Sequence, residues 1–260
     1  MRSTLIAILF FITGSLTYAQ TKLNTKTIDT KLKALQEATQ TVGFSVAVVQ
    51  GDQVIYSKGF GYRDLENKIE ADENTLYAIG SSSTAFTVAL LGIMEEEKGL
   101  KFTDSPKKYL PELEFYNEKL NNQVTILDMI SHRTGLPRHD LSWYLFPTAD
   151  KDSLLARVKY QEPFTGIRKQ WYYNNFMYLA QGLITEKLTG KSWEDNIRER
   201  FFKPLNMTSP NVSISEMVAQ PNISKGYSLE DFTTNKAMPY YDIAAISPAG
   251  SINSSVKEMS

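Results

Sequence analysis

Residues 78–91 read AIGSSSTAFTVALL. Three consecutive serines stand between Gly80 and an apolar run, which is how a chain presents a nucleophilic hydroxyl at the head of a helix. A serine hydroxyl is a weak nucleophile at neutral pH and needs a base close by. Ser81, directly after the glycine, is the candidate. It would sit near the partial positive charge of the helix N-terminus, where backbone N–H groups can hold an oxyanion. A lysine three residues on, along the same helical face, would reach that hydroxyl. The residue there is Thr84. Other registers do no better, because Ser82 points to Ala85 and Ser83 to Phe86. Two true Ser-x-x-Lys spacings exist, Ser105 to Lys108 and Ser254 to Lys257. The first lies in a connection. The second has no glycine directly before it and no buried helix evident after it. Both read as chance, because the motif needs its structural context.

The rest of the composition narrows the chemistry. The chain has 260 residues, 28 basic and 29 acidic side chains, and a net charge of -1. No basic run points to nucleic acid. With two histidines, His132 and His139, and no His-Glu-x-x-His spacing, a metal hydrolase is set aside. Both histidines read as turn residues, and no cofactor is implied. There is no cysteine, so no disulfide framework supports the fold. Arg2, the uncharged stretch Leu5 to Ile12, and the small residues Thr17 and Ala19 read as a signal peptide over residues 1–19. This implies a secreted or periplasmic protein with no stable membrane span after cleavage. An uncleaved anchor is the alternative.

The elements that must position Ser81 follow from periodicity. Ile28, Leu32, Leu35 and Ala38 mark an amphipathic helix over residues 25–40. The segments 44–50 and 53–62 flank Gly51-Asp52 as a β-hairpin. Residues 82–98 form a helix stopped by Gly99, apolar or small from Ala85 to Met94 and so buried around most of its circumference. Further helices are read over 125–132 and over 176–191, closing at Gly190. Another, over 192–202, has Ser192 as N-cap and Pro204 ending it. The only clear strands lie near the start. The chain stops at SPAGSINSSVKEMS, just after a glycine turn, with no docking element evident.

Taken together, YAIGSSSTAFTVALLG, SHRTGLPRHD (131–140) and WYYNNFMYLAQGLITEKLTGKSWEDNIRERFFKPLNMTSPN (171–211) resemble the serine β-lactamase, penicillin-binding (DD-peptidase) and esterase superfamily in its class C-like branch. The resemblance runs from about residue 30 to the end. It implies an α/β fold of the α+β type, in which a helical region packs on an antiparallel sheet. Residues 20–260 would form one domain, C-terminally incomplete, since the family's three late strands and its Lys-Thr-Gly motif would fall beyond residue 260. The short sequences RTG (133–135) and LTG (188–190) belong to a turn and a helix end. The expectation is a fragment or a decayed member.

The resemblance also assigns roles. Ser81 becomes the nucleophile of an acyl transfer, and Tyr173 the proton shuttle beside it. Asn175 orients the substrate amide and bonds the lysine, and the Ser81 N–H donates to the oxyanion. A Tyr172 and Asn174 register is open, but Trp171 and Tyr178 fit the family's flanking aromatics around Tyr173 and Asn175. The bland alternative is that Tyr173 and Asn175 cap the next helix and pack. The family's first motif carries lysine where this chain has Thr84, and that lysine supplies a charge favouring ionised tyrosine. The implied function is therefore an impaired serine hydrolase acting on a small molecule or peptide with an amide, lactam or ester carbonyl. The alternative is a non-catalytic binding protein that keeps the pocket. Trp143, Tyr144, Trp171 and Tyr172 are candidates for an apolar acyl site or, more commonly for such side chains, for core.

Overall fold

A computed structural model describes residues 23–260; the signal peptide read over residues 1–19 lies outside them. Helix α1 (Thr25–Thr39) opens at Asn24, whose side chain accepts the Thr27 N–H at 3.1 Å. It leans on a hairpin of β1 (Gly43–Gln50) and β2 (Gln53–Asp64), which pair antiparallel. Asp29 on α1 accepts from the Tyr56 hydroxyl at 2.5 Å and from Lys58 at 2.7 Å. Of the apolar stripe on α1, Ile28 and Leu32 are half-buried, whereas Leu35 and Ala38 are exposed. Short β3 (Ile69–Glu70) completes a three-stranded sheet in the order β1-β2-β3. Strands are not confined to this region. β4 (Tyr77–Ala78) pairs antiparallel with β7 (Asn253–Ser254), and β5 (Gly226–Glu230) pairs with β6 (Thr234–Met238) as a second hairpin.

The helical layer is built on α2 (Ser83–Lys98) and α7 (Asn175–Thr189), which pack on each other. Both end as the sequence predicts, in left-handed Gly99 and Gly190. Around them lie short helices whose ends are fixed by side-chain caps: α3 (Glu118–Gln123) by Asn117, α4 (Ile126–Ile130) by Thr125, α6 (Lys151–Leu155) by Asp150 and α9 (Ile214–Val218) by Ser213. α5 (Leu141–Tyr144) is a single turn. α8 (Trp193–Ile197) starts at Ser192, as predicted, and runs into a wide π-type stretch, Arg198–Phe202, just before Pro204. The tail is docked, contrary to expectation. α10 (Val256–Met259) lies against β1, the Lys257 N–H donates to the Glu73 carbonyl at 3.1 Å, and Glu258 accepts from Thr208 and Ser209. Neither chance motif gains a site: Lys108 pairs with Asp104, and Ser254 lies buried on β7.

α7 is the hub, with 11 of its 15 residues buried. α2 is less enclosed than its composition suggests. Ser83, Thr87, Leu90, Leu91 and Met94 form one buried stripe, while Ala85 and Ala89 are exposed. Small apolar residues are helix formers as well as core fillers, so an apolar count overstates burial. The segment 244–249 wedges between α2 and α7. There Gly182 on α7 allows a close approach, since a Cβ at that position would lie 2.2 Å from Pro248 Cγ. Gly182→Ala should therefore lower stability by about 1–3 kcal/mol through overpacking, although alanine is the better helix former by about 1 kcal/mol. Denaturant unfolding checks this; unchanged or higher stability would contradict the close contact.

Candidate active site

Gly80 (φ +53) turns the chain from β4 into a single 3-10 turn, Gly80–Ser82, that runs directly into α2. A residue with a Cβ is disfavoured in this left-handed conformation by about 1–2 kcal/mol. The turn is clipped to the strand after Gly250. The Ile79 N–H donates to the Ile252 carbonyl at 3.0 Å, and the Ile252 N–H donates to the Ser83 hydroxyl at 3.0 Å. Of the three serines, Ser83 is fully buried, whereas Ser81 and Ser82 are exposed. The Ser81 hydroxyl and backbone N–H make no hydrogen bond among the described residues. Thr84 donates to the Ser81 carbonyl at 2.7 Å. The Tyr178 phenol donates to the Ile130 carbonyl at 2.9 Å and lies near Thr84. Burial raises the pKa of that phenol first and its neighbour Tyr173 second, with Thr84 opposing both.

The second part of the site is the 131–140 turn, sewn to the segment before α7. Asp128 closes a capping box with Thr125 and takes a fork from Arg168, both contacts at 2.7 Å. Burial pushes the Asp128 pKa up, but these donors hold it below its ordinary value. Beyond it the chain turns at His132 (φ +57) and Gly135 (φ +88). The Tyr172 N–H donates to the His132 carbonyl at 2.9 Å, and the Asn174 N–H donates to His132 Nδ1 at 3.2 Å. Asn174, not Tyr173 or Asn175, caps α7 through the Met177 N–H. The His132 ring then packs on Tyr173 at 4.4 Å and on Tyr178 at 5.1 Å between centroids. The Tyr173 hydroxyl is buried without a hydrogen-bond partner.

Ser81, Thr84 and Tyr173 thus belong to one connected group, linked through Tyr178 and His132. Asn175 sits elsewhere in it. Its side-chain amide donates to Asp140 at 3.0 Å, and Asp140 also accepts from Trp143 and Arg138. The four aromatic candidates divide. Trp143 lines a cleft of about 300 Å³ with Leu154, Tyr241 and Ala245. Tyr144 stacks on Tyr241 at 4.4 Å, while Trp171 and Tyr172 are exposed rather than core. A smaller cleft of about 100 Å³ touches Gly80 and shares Tyr241 to Ala244 with the larger one. Among the described residues no cluster of His, Cys, Asp or Glu could hold a metal, and no helix is long and apolar enough to cross a membrane.

The sequence reading left His132 as a turn residue and did not single out Arg138. His132 does occupy a turn, but it is also 91% removed from solvent and wedged among the site's phenols, a role no spacing in the sequence announces. Burial first, and the Arg138 charge second, bring its pKa down from 6.5 to about 4. The folded state therefore favours neutral imidazole. Its contribution is complete above the unfolded-state value and is lost as pH falls from about 6.5 toward 4, on the order of 3 kcal/mol in all. Unfolding free energies measured across that window should fall more steeply for the wild type than for His132→Gln; parallel slopes would contradict the buried neutral ring.

Comparison with known proteins bears on this arrangement. The Beta-lactamase family profile matches residues 28–260. Unguisins hydrolase ungD' of Aspergillus campestris is 30% identical over 231 residues, 83% of this chain and 42% of that protein. Protein flp of Staphylococcus aureus is 25% identical over 219 residues, 83% of this chain and 44% of that one. The octameric penicillin-binding protein homologue from Pyrococcus abyssi superposes with a TM-score of 0.80 at 23% identity, covering 91% of this chain and 55% of its own. FmtA from Staphylococcus aureus gives 0.75 at 26% identity, with 90% and 63% covered. The chain thus spans under half the length of these two curated relatives. The fold is of the β-lactamase/transpeptidase type, with mixed helices and antiparallel sheets, and the chain belongs to the beta-lactamase family.

Proposed function

We propose that the chain carries the acyl-transfer site of a serine hydrolase acting on an amide, lactam or ester carbonyl, with Ser81 as nucleophile and activity weakened by Thr84. The observation that carries this reading is the exposed Ser81 at the head of α2, with Thr84 near Tyr178 and the Tyr178 and Tyr173 rings both packed on His132. Ser81 Oγ attacks the carbonyl carbon and its proton passes to the Tyr173 oxygen in its phenolate form. The oxyanion takes the free Ser81 N–H, the leaving group departs with a proton, and water then releases the acyl group. Thr84 can donate and accept hydrogen bonds but carries no charge. A positioned general base is worth about 10²–10⁴-fold, which is the scale of the expected deficit. The cleft beside Trp143 and Tyr241 is apolar enough for an acyl substituent. The segment over residues 1–19 reads as a secretion signal, so the site would work outside the cytoplasm.

A second reading is favoured by Thr84 itself: a binding protein that retains the pocket without turnover. Intact-mass measurement after exposure to a penicillin or a fluorophosphonate separates the two. An adduct abolished by Ser81→Ala is expected, and Thr84→Lys should form it about tenfold faster or more. Reversible binding with no adduct would support the second reading. An adduct that survives Ser81→Ala would overturn Ser81 as nucleophile.

A further inference from the structure

The Tyr173 ring has a cation beside it that the nucleophile segment does not provide. The guanidinium carbon of Arg138 lies 4.9 Å from the ring centre. Arg138 grips Asp140 through Nε at 2.7 Å and Nη2 at 2.5 Å. Asp140 is itself fixed by two neutral donors, Trp143 Nε1 at 3.1 Å and Asn175 Nδ2 at 3.0 Å. Asn175 therefore acts on the carboxylate that aims the arginine. A cation over a phenol face is attracted by the ring's π system, and an opposite charge within about 4–6 Å favours the ionised form of a group.

We propose that Arg138, positioned by Asp140 and Asn175, supplies beside Tyr173 the positive charge that the family resemblance assigns to a lysine at position 84. This rests on the reading of Ser81 and Tyr173 as an acyl-transfer pair. The charged and titratable groups around Tyr173 are His132, Arg138 and Asp140 from the 131–140 turn and Tyr178 from α7; Thr84 of α2 is uncharged. His132 is neutral above about pH 4, held so by burial and then by Arg138 itself, whose field therefore reaches into this group. Among the described residues that leaves Arg138, ion-paired with Asp140, as the cation beside this group at neutral pH. Its side chain is half exposed, so the effect is modest rather than equal to that of a buried lysine.

The full chain, labelled by a fluorophosphonate and followed by intact mass, tests this. In that reaction Ser81 Oγ forms the bond to phosphorus, the P–F bond breaks, and fluoride leaves. The hydroxyl proton passes to the Tyr173 oxygen and on to solvent. Arg138→Gln should slow Ser81 labelling about tenfold near pH 7, and Arg138→Lys about threefold or less. Thermal unfolding of each variant confirms that it is folded, and the Lys variant separates charge from shape. Wild-type rates in the Gln variant, or an equal loss in the Gln and Lys variants, would overturn a charge role for Arg138 while leaving Ser81 labelled. No adduct in the wild type, or one that survives Ser81→Ala, would remove the serine chemistry first and Arg138's role with it.

Discussion

The geometry of the site depends on a pair of backbone contacts made across almost the whole chain. Ile252 accepts the Ile79 N–H through its carbonyl and donates its own N–H to the buried Ser83 hydroxyl. These bonds fix both ends of the turn that carries Ser81. They leave the Ser81 side chain with nothing to hold, so it stays exposed and free. The clip continues inward, where Thr87 donates to the Pro248 carbonyl at 2.7 Å and Trp193 Nε1 donates to Thr87 at 3.0 Å. Buried polar groups are costly unless paired, by about 1–3 kcal/mol each, so this ladder locks the head of α2 against the 244–252 segment. Exchanging the roles of Ser81 and Ser83 is thereby excluded: one serine is architecture and the other is surface.

Electrostatics organise the second half of the site. A neutral histidine, two phenols and an arginine share one small region, and the arginine is tethered by a carboxylate that also holds Asn175. Where the family resemblance expects an amine inside the nucleophile helix, this chain places a hydroxyl that instead bonds its own backbone. The cation nearest the Tyr173 ring is instead Arg138 of the 131–140 turn, 4.9 Å from the ring centre. The Asp128–Arg168 fork supports that wall from behind, closing the 131–135 turn against the segment that leads into Tyr173.

Much of this was legible in the residues. The hairpin around Gly51-Asp52 and the two glycine-stopped helices α2 and α7 follow from period and punctuation. The β5–β6 hairpin escaped because Gly226–Glu230 and Thr234–Met238 are largely polar and exposed and are joined by Asp231 and Phe232 in left-handed conformations rather than by a glycine turn. Helices such as α3, α5, α6 and α9 are four to six residues long, too short for a helical period, although the caps Asn117, Asp150 and Ser213 were visible signals. The site's candidates Ser81, Thr84, Tyr173 and Asn175 came from motif order. What sequence order cannot show is a ring stack or a cation over a ring, which is why His132 read only as a turn residue and Arg138 was not singled out.

By accepting the Ile252 N–H, Ser83 holds the turn that leaves Ser81 exposed. Amide hydrogen exchange at Ile252 tests it directly. In Ser83→Ala that amide should exchange about tenfold faster or more, the equivalent of losing roughly 1.4 kcal/mol of local protection, while Ser81→Ala leaves it unchanged. An Ile252 amide indifferent to Ser83, or equally sensitive to Ser81, would contradict the account.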